Sequence, residues 1–166
     1  MGVRRMKRTI KEAMKRINFL EQQIQNILQD EENNSYVIYY DNEEPEQTDY
    51  NITEVNKEIE SLQFEVVTLR KAINLANQEV LIGIKDYTIS DALIRIAQLT
   101  NNSHRLKSLA SYKQKSRQTT YSNLTEYTLR LYDVKDVQKQ YLACIEEIHA
   151  LQTAIDKANI LTEIEC

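Results

Sequence analysis

Four stretches of this chain repeat apolar side chains at alternating steps of three and four residues, and that spacing leaves few folds open. The first sets Val3, Ile10, Ile17 and Ile24 against Met6, Ala13, Leu20 and Ile27. The second, the most regular, sets Ile52, Ile59, Val66, Ile73 and Val80 against Val55, Leu62, Leu69 and Ala76. In the third, Ile89, Ile96, Ser103 and Ala110 alternate with Ala92, Leu99 and Leu106. The fourth has Val134, Tyr141, Ile148 and Ile155 with Val137, Cys144, Leu151 and Ala158. A period near 3.5 keeps one stripe of a helix facing a partner helix along its whole length. Met14, Phe64, Val67, Leu93, Leu142 and Ile145 lie beside the stripes. They widen them beyond a two-helix seam and predict a bundle of three or more helices.

Cap residues mark where the helices begin. Asn51 with Glu54 and Thr88 with Asp91 have the spacing of a helix start, and Asp133 with Asp136 opens the last helix. Gly83 falls in the link between the second and third helices, where the chain must reverse. The spacing predicts helices over about 3–30, 51–81, 89–116 and 134–163. Each would be roughly 40–48 Å long at 1.5 Å per residue. The fold class read from this is mainly α: an elongated antiparallel helical bundle or coiled coil of about four long helices, one domain over 1–166.

Two segments, 31–50 and 118–132, break the pattern. The first holds the only proline, Pro45, and the second is rich in Thr, Ser and Tyr. Within them, Tyr36-Val37-Ile38-Tyr39-Tyr40 and Tyr127-Thr128-Leu129-Arg130-Leu131-Tyr132 favour strand. The two are expected to meet as a small two-stranded β-ribbon at one end of the bundle. Such a ribbon is marginal alone and needs packing against helices or another subunit. Tyr36, Tyr39, Tyr40, Tyr127 and Tyr132 therefore form either a cover for the bundle end or an interaction surface, since tyrosine suits wet interfaces.

Two glycines exclude the glycine-rich phosphate cradles and the nucleophile elbow. The net charge of −4 gives no general reason to expect nucleic acid. The charge is nonetheless in blocks. Seven basic residues lie within 4–16, eight acids and no base within 30–49, and a second basic stretch within 105–117. Arg4, Arg5, Lys7, Arg8, Arg105 and Lys107 are the candidate basic patch for RNA, DNA or lipid. The plainer reading is solvated faces, with steering between segments or subunits. No apolar run reaches the roughly 18 residues of a membrane span. No signal core follows the basic start, and two cysteines make no disulfide framework, so a cytoplasmic location is expected.

Residues that could carry chemistry are sparse. Glu146 and His149 have the spacing of a helical metal-ligand pair but lack a matching second pair. No metal or other cofactor is expected, and the acidic segment lacks the calcium-loop pattern. Cys144 holds a stripe position and should be a buried apolar group, while Cys166, the last residue, is expected to be exposed. Asn74, Asn77 and Asn159 near the seam are expected to fix register or bond loop backbone.

Three runs carry a resemblance: Leu69-Arg70-Lys71-Ala72-Ile73-Asn74-Leu75-Ala76-Asn77, Thr88-Ile89-Ser90-Asp91-Ala92-Leu93, and Ile155-Asp156-Lys157-Ala158-Asn159 with Thr162-Glu163. Together with Arg8-Thr9-Ile10-Lys11-Glu12-Ala13 and Asp133-Val134, the chain resembles bacterial proteins of the DIP1984 family, some labelled septicolysin. It departs from them at Ile160, where a tryptophan is expected, and in its long tyrosine-rich 31–49 segment. The resemblance implies a mostly helical bacterial protein without an established activity, and its label implies a membrane-active cytolysin. The residues themselves point to a non-enzymatic bundle that works through protein–protein contacts, with itself as partner. Cytolysis and nucleic-acid binding are the alternatives.

Overall fold

The computed structural model describes residues 6–165. In chain order the elements are β1 (Lys7–Thr9), α1 (Ile10–Asn34), α2 (Ile52–Glu79), α3 (Ile89–Ala110), β2 (Lys115–Thr119), β3 (Thr125–Leu129), α4 (Val134–Leu161) and β4 (Glu163–Glu165). The fold is mainly α: the described residues form four long helices and two small antiparallel two-stranded sheets, β1–β4 and β2–β3. Contacts divide the chain into two compact units, Met1–Asn77 with Asn159–Cys166, and Gln78–Ala158.

The first unit is built on α1 and α2. Tyr50, just ahead of α2, donates its hydroxyl to Glu31 near the end of α1, while Arg16 near the start of α1 meets Glu65 well along α2. The two helices are therefore antiparallel. Ile10, Ala13, Ile17 and Leu20 are buried from α1, and Leu69, Ile73 and Ala76 from α2. All seven are stripe positions. Removing such a side chain from water stabilises the fold by about 1.5–3 kcal/mol for an Ile or Leu. The rest of the α2 stripe is less protected: Ile52 is exposed, and Val55, Ile59, Leu62 and Val66 are half-buried. A single partner helix shields one stripe only.

The first helix begins later than its periodicity predicts. Residues 7–9 are strand, pairing Lys7 with Glu165, Arg8 with Ile164 and Thr9 with Glu163. Thr9 then caps α1 in a reciprocal box with Glu12, at 3.2 Å from the Glu12 N–H and 2.9 Å from its own N–H to the Glu12 carboxylate. The Ile10 N–H donates to the Thr162 carbonyl at 3.0 Å, and Ile164 is buried beneath this pairing. An apolar period cannot reveal such a start, because a three-residue strand has too few side chains to show its own. Val3, Arg4, Arg5 and Cys166 lie outside the described residues.

The second unit is built on α3 and α4, also antiparallel. Arg95 in the first half of α3 meets Glu147 midway along α4, and Tyr132, just ahead of α4, bonds the Leu109 carbonyl at the end of α3. Ile89, Ala92, Leu99 and Leu106 are buried with Val137, Leu151 and Ile155. Ser103, buried on the same stripe, satisfies its hydroxyl on the Thr100 carbonyl at 2.8 Å. Thr88 and Asp91 form the predicted cap of α3, and the Asp133 carboxylate accepts the Lys135 N–H at 2.8 Å at the start of α4. The reversal before α3 uses Gly83 at φ +76°, with Lys85 and Asp86 also at positive φ.

Three further expectations are corrected. Helix α3 ends at Ala110 rather than near 116, because Lys115–Thr119 is strand. The ribbon does not join 36–40 to 127–132. It pairs β2 with β3, and residues 36–40 belong to neither helix nor strand. Closing a five-residue turn orders far less chain than bringing together segments some ninety residues apart. Cys144 is half-buried rather than buried and accepts the Asn102 amide at 3.6 Å.

Candidate interaction surface

The ribbon grows from the α3–α4 connection. Its turn is closed by the Thr120 N–H on the Leu124 carbonyl at 2.9 Å, with Asn123 at φ +59°, a conformation asparagine tolerates better than most residues. At its root, the Gln114 amide donates to the carbonyls of Arg130 and Tyr132, both at 2.9 Å, and its oxygen accepts the Val134 N–H at 3.0 Å. Gln114 also lines an open cleft of about 630 Å³ with residues 130–135. No periodicity or motif marks this glutamine; its role depends on where the ribbon crosses back.

Strand alternation separates the ribbon into two faces. The register pairs Lys115 with Leu129, Arg117 with Tyr127 and Thr119 with Thr125 on one face, and Ser116 with Thr128 and Gln118 with Glu126 on the other. The first face is basic and apolar, the second polar. Lys115 Nζ lies 4.7 Å from the Tyr127 ring centre, and the Arg130 guanidinium stacks 3.9 Å from that of Tyr112. Every residue of both strands is exposed.

The tyrosines singled out by composition belong to two different units. Tyr36, Tyr39 and Tyr40 are exposed in the first unit, beside Ile38 at 84% exposure. Tyr127 is exposed on β3 of the second unit. Tyr132 is half-buried, and its hydroxyl donates to the Leu109 carbonyl at 3.0 Å, so it fastens the ribbon root to α3. The candidate basic patch also falls in both units. Lys7 and Arg8 are on β1 of the first, while Lys107 and Arg105, the latter bonded to Asn102, are on α3 of the second.

Asn74 is exposed, and Asn77 and Asn159 are half-buried with side-chain oxygens that are enclosed and have no hydrogen-bond partner. His104 and His149 are exposed. Among the described residues no cluster of three or more His, Cys, Asp or Glu is placed to hold a metal ion, and no helix is long and apolar enough to cross a membrane.

Of the flanking apolar groups that should have widened the stripes, Ile145 is half-buried and the other five are exposed. Phe64 is 75% exposed, and Val67, Leu93, Leu142 and Met14 are exposed as well. Phe19 joins them on α1, under the Arg16 guanidinium at 5.4 Å. Ion pairs cross the first seam beside them. Arg16 forks onto Glu65 at 2.8 and 3.1 Å, and Arg70 meets Glu21 at 2.5 Å. Hydrogen bonding from Arg16 holds the Glu65 carboxyl below the usual glutamate range.

The chain belongs to a family of unknown function, DUF6847, whose model matches residues 11–164. Its fold is similar to the crystal structure of a functionally unknown conserved protein from Corynebacterium diphtheriae. The two are 21% identical, with 96% of this chain and 99% of that one covered at a TM-score of 0.65. No curated protein matches.

Proposed function

We propose that this member of the DUF6847 family is a non-enzymatic interaction protein that associates with copies of itself. The observation that carries the reading is the mismatch between a thin core and the large side chains left outside it. Each unit buries one stripe per helix, while Phe64, Val67, Leu93 and Leu142 are exposed, as is every residue of both ribbon strands. Isolated exposed apolar residues are ordinary, but a two-stranded sheet exposed on both faces is marginal in water. A second copy that covers these groups supplies the burial a two-helix seam lacks. The bacterial septicolysin resemblance adds no residue to this reading.

Association of folded copies makes stability depend on protein concentration. Thermal unfolding followed by circular dichroism is expected to shift to higher temperature as the protein is concentrated. A midpoint that stays constant over a hundredfold range of concentration contradicts the reading.

A further inference from the structure

The ribbon has one face that asks for an acidic, aromatic partner, and this chain contains such a segment. Lys115, Arg117, Tyr127 and Leu129 share the basic, apolar face, all exposed. Residues 36–49 hold Tyr36, Tyr39 and Tyr40 followed by five acids, contain no base, and belong to no helix or strand. We propose that the basic face of the ribbon in one copy seats the acidic, tyrosine-rich segment 36–49 of a second copy. This rests on the self-association reading and names its mode.

Charge decides between the ways two copies could meet here. Ribbon against ribbon would set Lys115 and Arg117 against their own equivalents, and segment against segment would bring five acids onto five. Like charges brought together in an interface are strongly disfavoured, whereas the cross pairing is complementary. Affinity then comes from the aromatic and aliphatic groups, because exposed ion pairs alone contribute little. Tyr36, Tyr39 and Tyr40 would cover Tyr127 and Leu129, while Glu43, Glu44 and Glu46 would meet Lys115 and Arg117. The segment also has the β-favouring composition that can lie along an existing sheet.

The test uses the full chain and two charge reversals, K115E/R117E in the ribbon and E43K/E44K/E46K in the segment. Each reversed chain alone is expected to need at least about tenfold more protein to associate, a loss in the range of removed charge complementarity. An equal mixture of the two variants is expected to associate again, since each then offers the other an oppositely charged partner. Circular dichroism checks that both variants keep their helices. If the variants associate as well as the unmodified chain, or if the mixture stays monomeric, this mode is overturned while self-association stands. A monomeric unmodified chain overturns both.

Discussion

Arg95 and Glu147 meet edge to edge between α3 and α4, with Nε 3.2 Å from Oε1 and Nη2 3.3 Å from Oε2. Lys85 reaches the same carboxylate at 3.1 Å from the loop ahead of α3. Glu147 is thus the point at which the reversing loop, α3 and α4 are tied together. Hydrogen bonds from Arg95 first, then from Lys85, hold its carboxyl below the usual glutamate range.

That depression sets the sign of a pH dependence. The unfolded chain takes up a proton at Glu147 at a higher pH than the folded chain does. The stabilisation is therefore complete above the ordinary glutamate pKa and is lost as pH falls below about 4. Glu65 acts in the same direction through Arg16. The variant Glu147→Gln should melt earlier than the unmodified chain at neutral pH, and the gap should close as the solution is acidified toward pH 3. A gap of constant size across that range would show that Glu147 does not act through its charge.

Leu20 and Phe64 separate the two kinds of apolar residue. Leu20 is fully buried in the first seam, while Phe64 is 75% exposed. Leu20→Ala should destabilise the chain by about 2–5 kcal/mol at any concentration, from lost burial and the cavity left behind. Under the proposed self-association, Phe64→Ala should change little in dilute protein and destabilise in concentrated protein. Urea unfolding at two concentrations reads both. An equal effect of Phe64→Ala at each concentration would mean that its ring is not at an interface.

Gly83 has nothing within 4 Å of where a Cβ would stand, yet its φ is +76°. The penalty for Gly83→Ala is therefore conformational and about 1 kcal/mol. Gly83→Asn should be milder, because asparagine visits this region more readily. Thermal melts that rank alanine above asparagine would show that the loop relaxes to another conformation.

Gln114 holds three backbone groups at the root of the ribbon. Gln114→Ala should speed hydrogen exchange at the amides of β2 and β3 while leaving α3 and α4 protected. Uniform loss of protection across the second unit would indicate that the ribbon and helices open together.

Much of this architecture can be read from side-chain spacing. The stripe positions from Ile10 to Leu20 and Leu69 to Ala76 are buried, as are Ile89, Ala92, Leu99, Ser103 and Leu106, because a period near 3.5 is a statement about one helix face. The Thr88–Asp91 cap and the Gly83 reversal are equally legible, since each depends on a local backbone conformation. What spacing does not show is which segment the β-favouring stretch that begins at Tyr127 takes as its partner. Tyr36–Tyr40 has the stronger composition, but Lys115–Thr119 has a complementary strand five residues away, and proximity prevails. The β1–β4 pairing is hidden for the opposite reason, because its two strands of three residues lie at opposite ends of the described chain. Phe64 and Val67 show a third limit. Periodicity identifies them as apolar flanks, but their exposure is visible only in the structure.

Molar mass in solution addresses the central claim most directly. Sedimentation equilibrium over a range of loading concentrations should give a mass that rises from that of one 19.5 kDa chain toward an integral multiple of it. A mass that stays at one chain at the highest concentration would mean that the exposed apolar groups and the ribbon face meet water, not another copy.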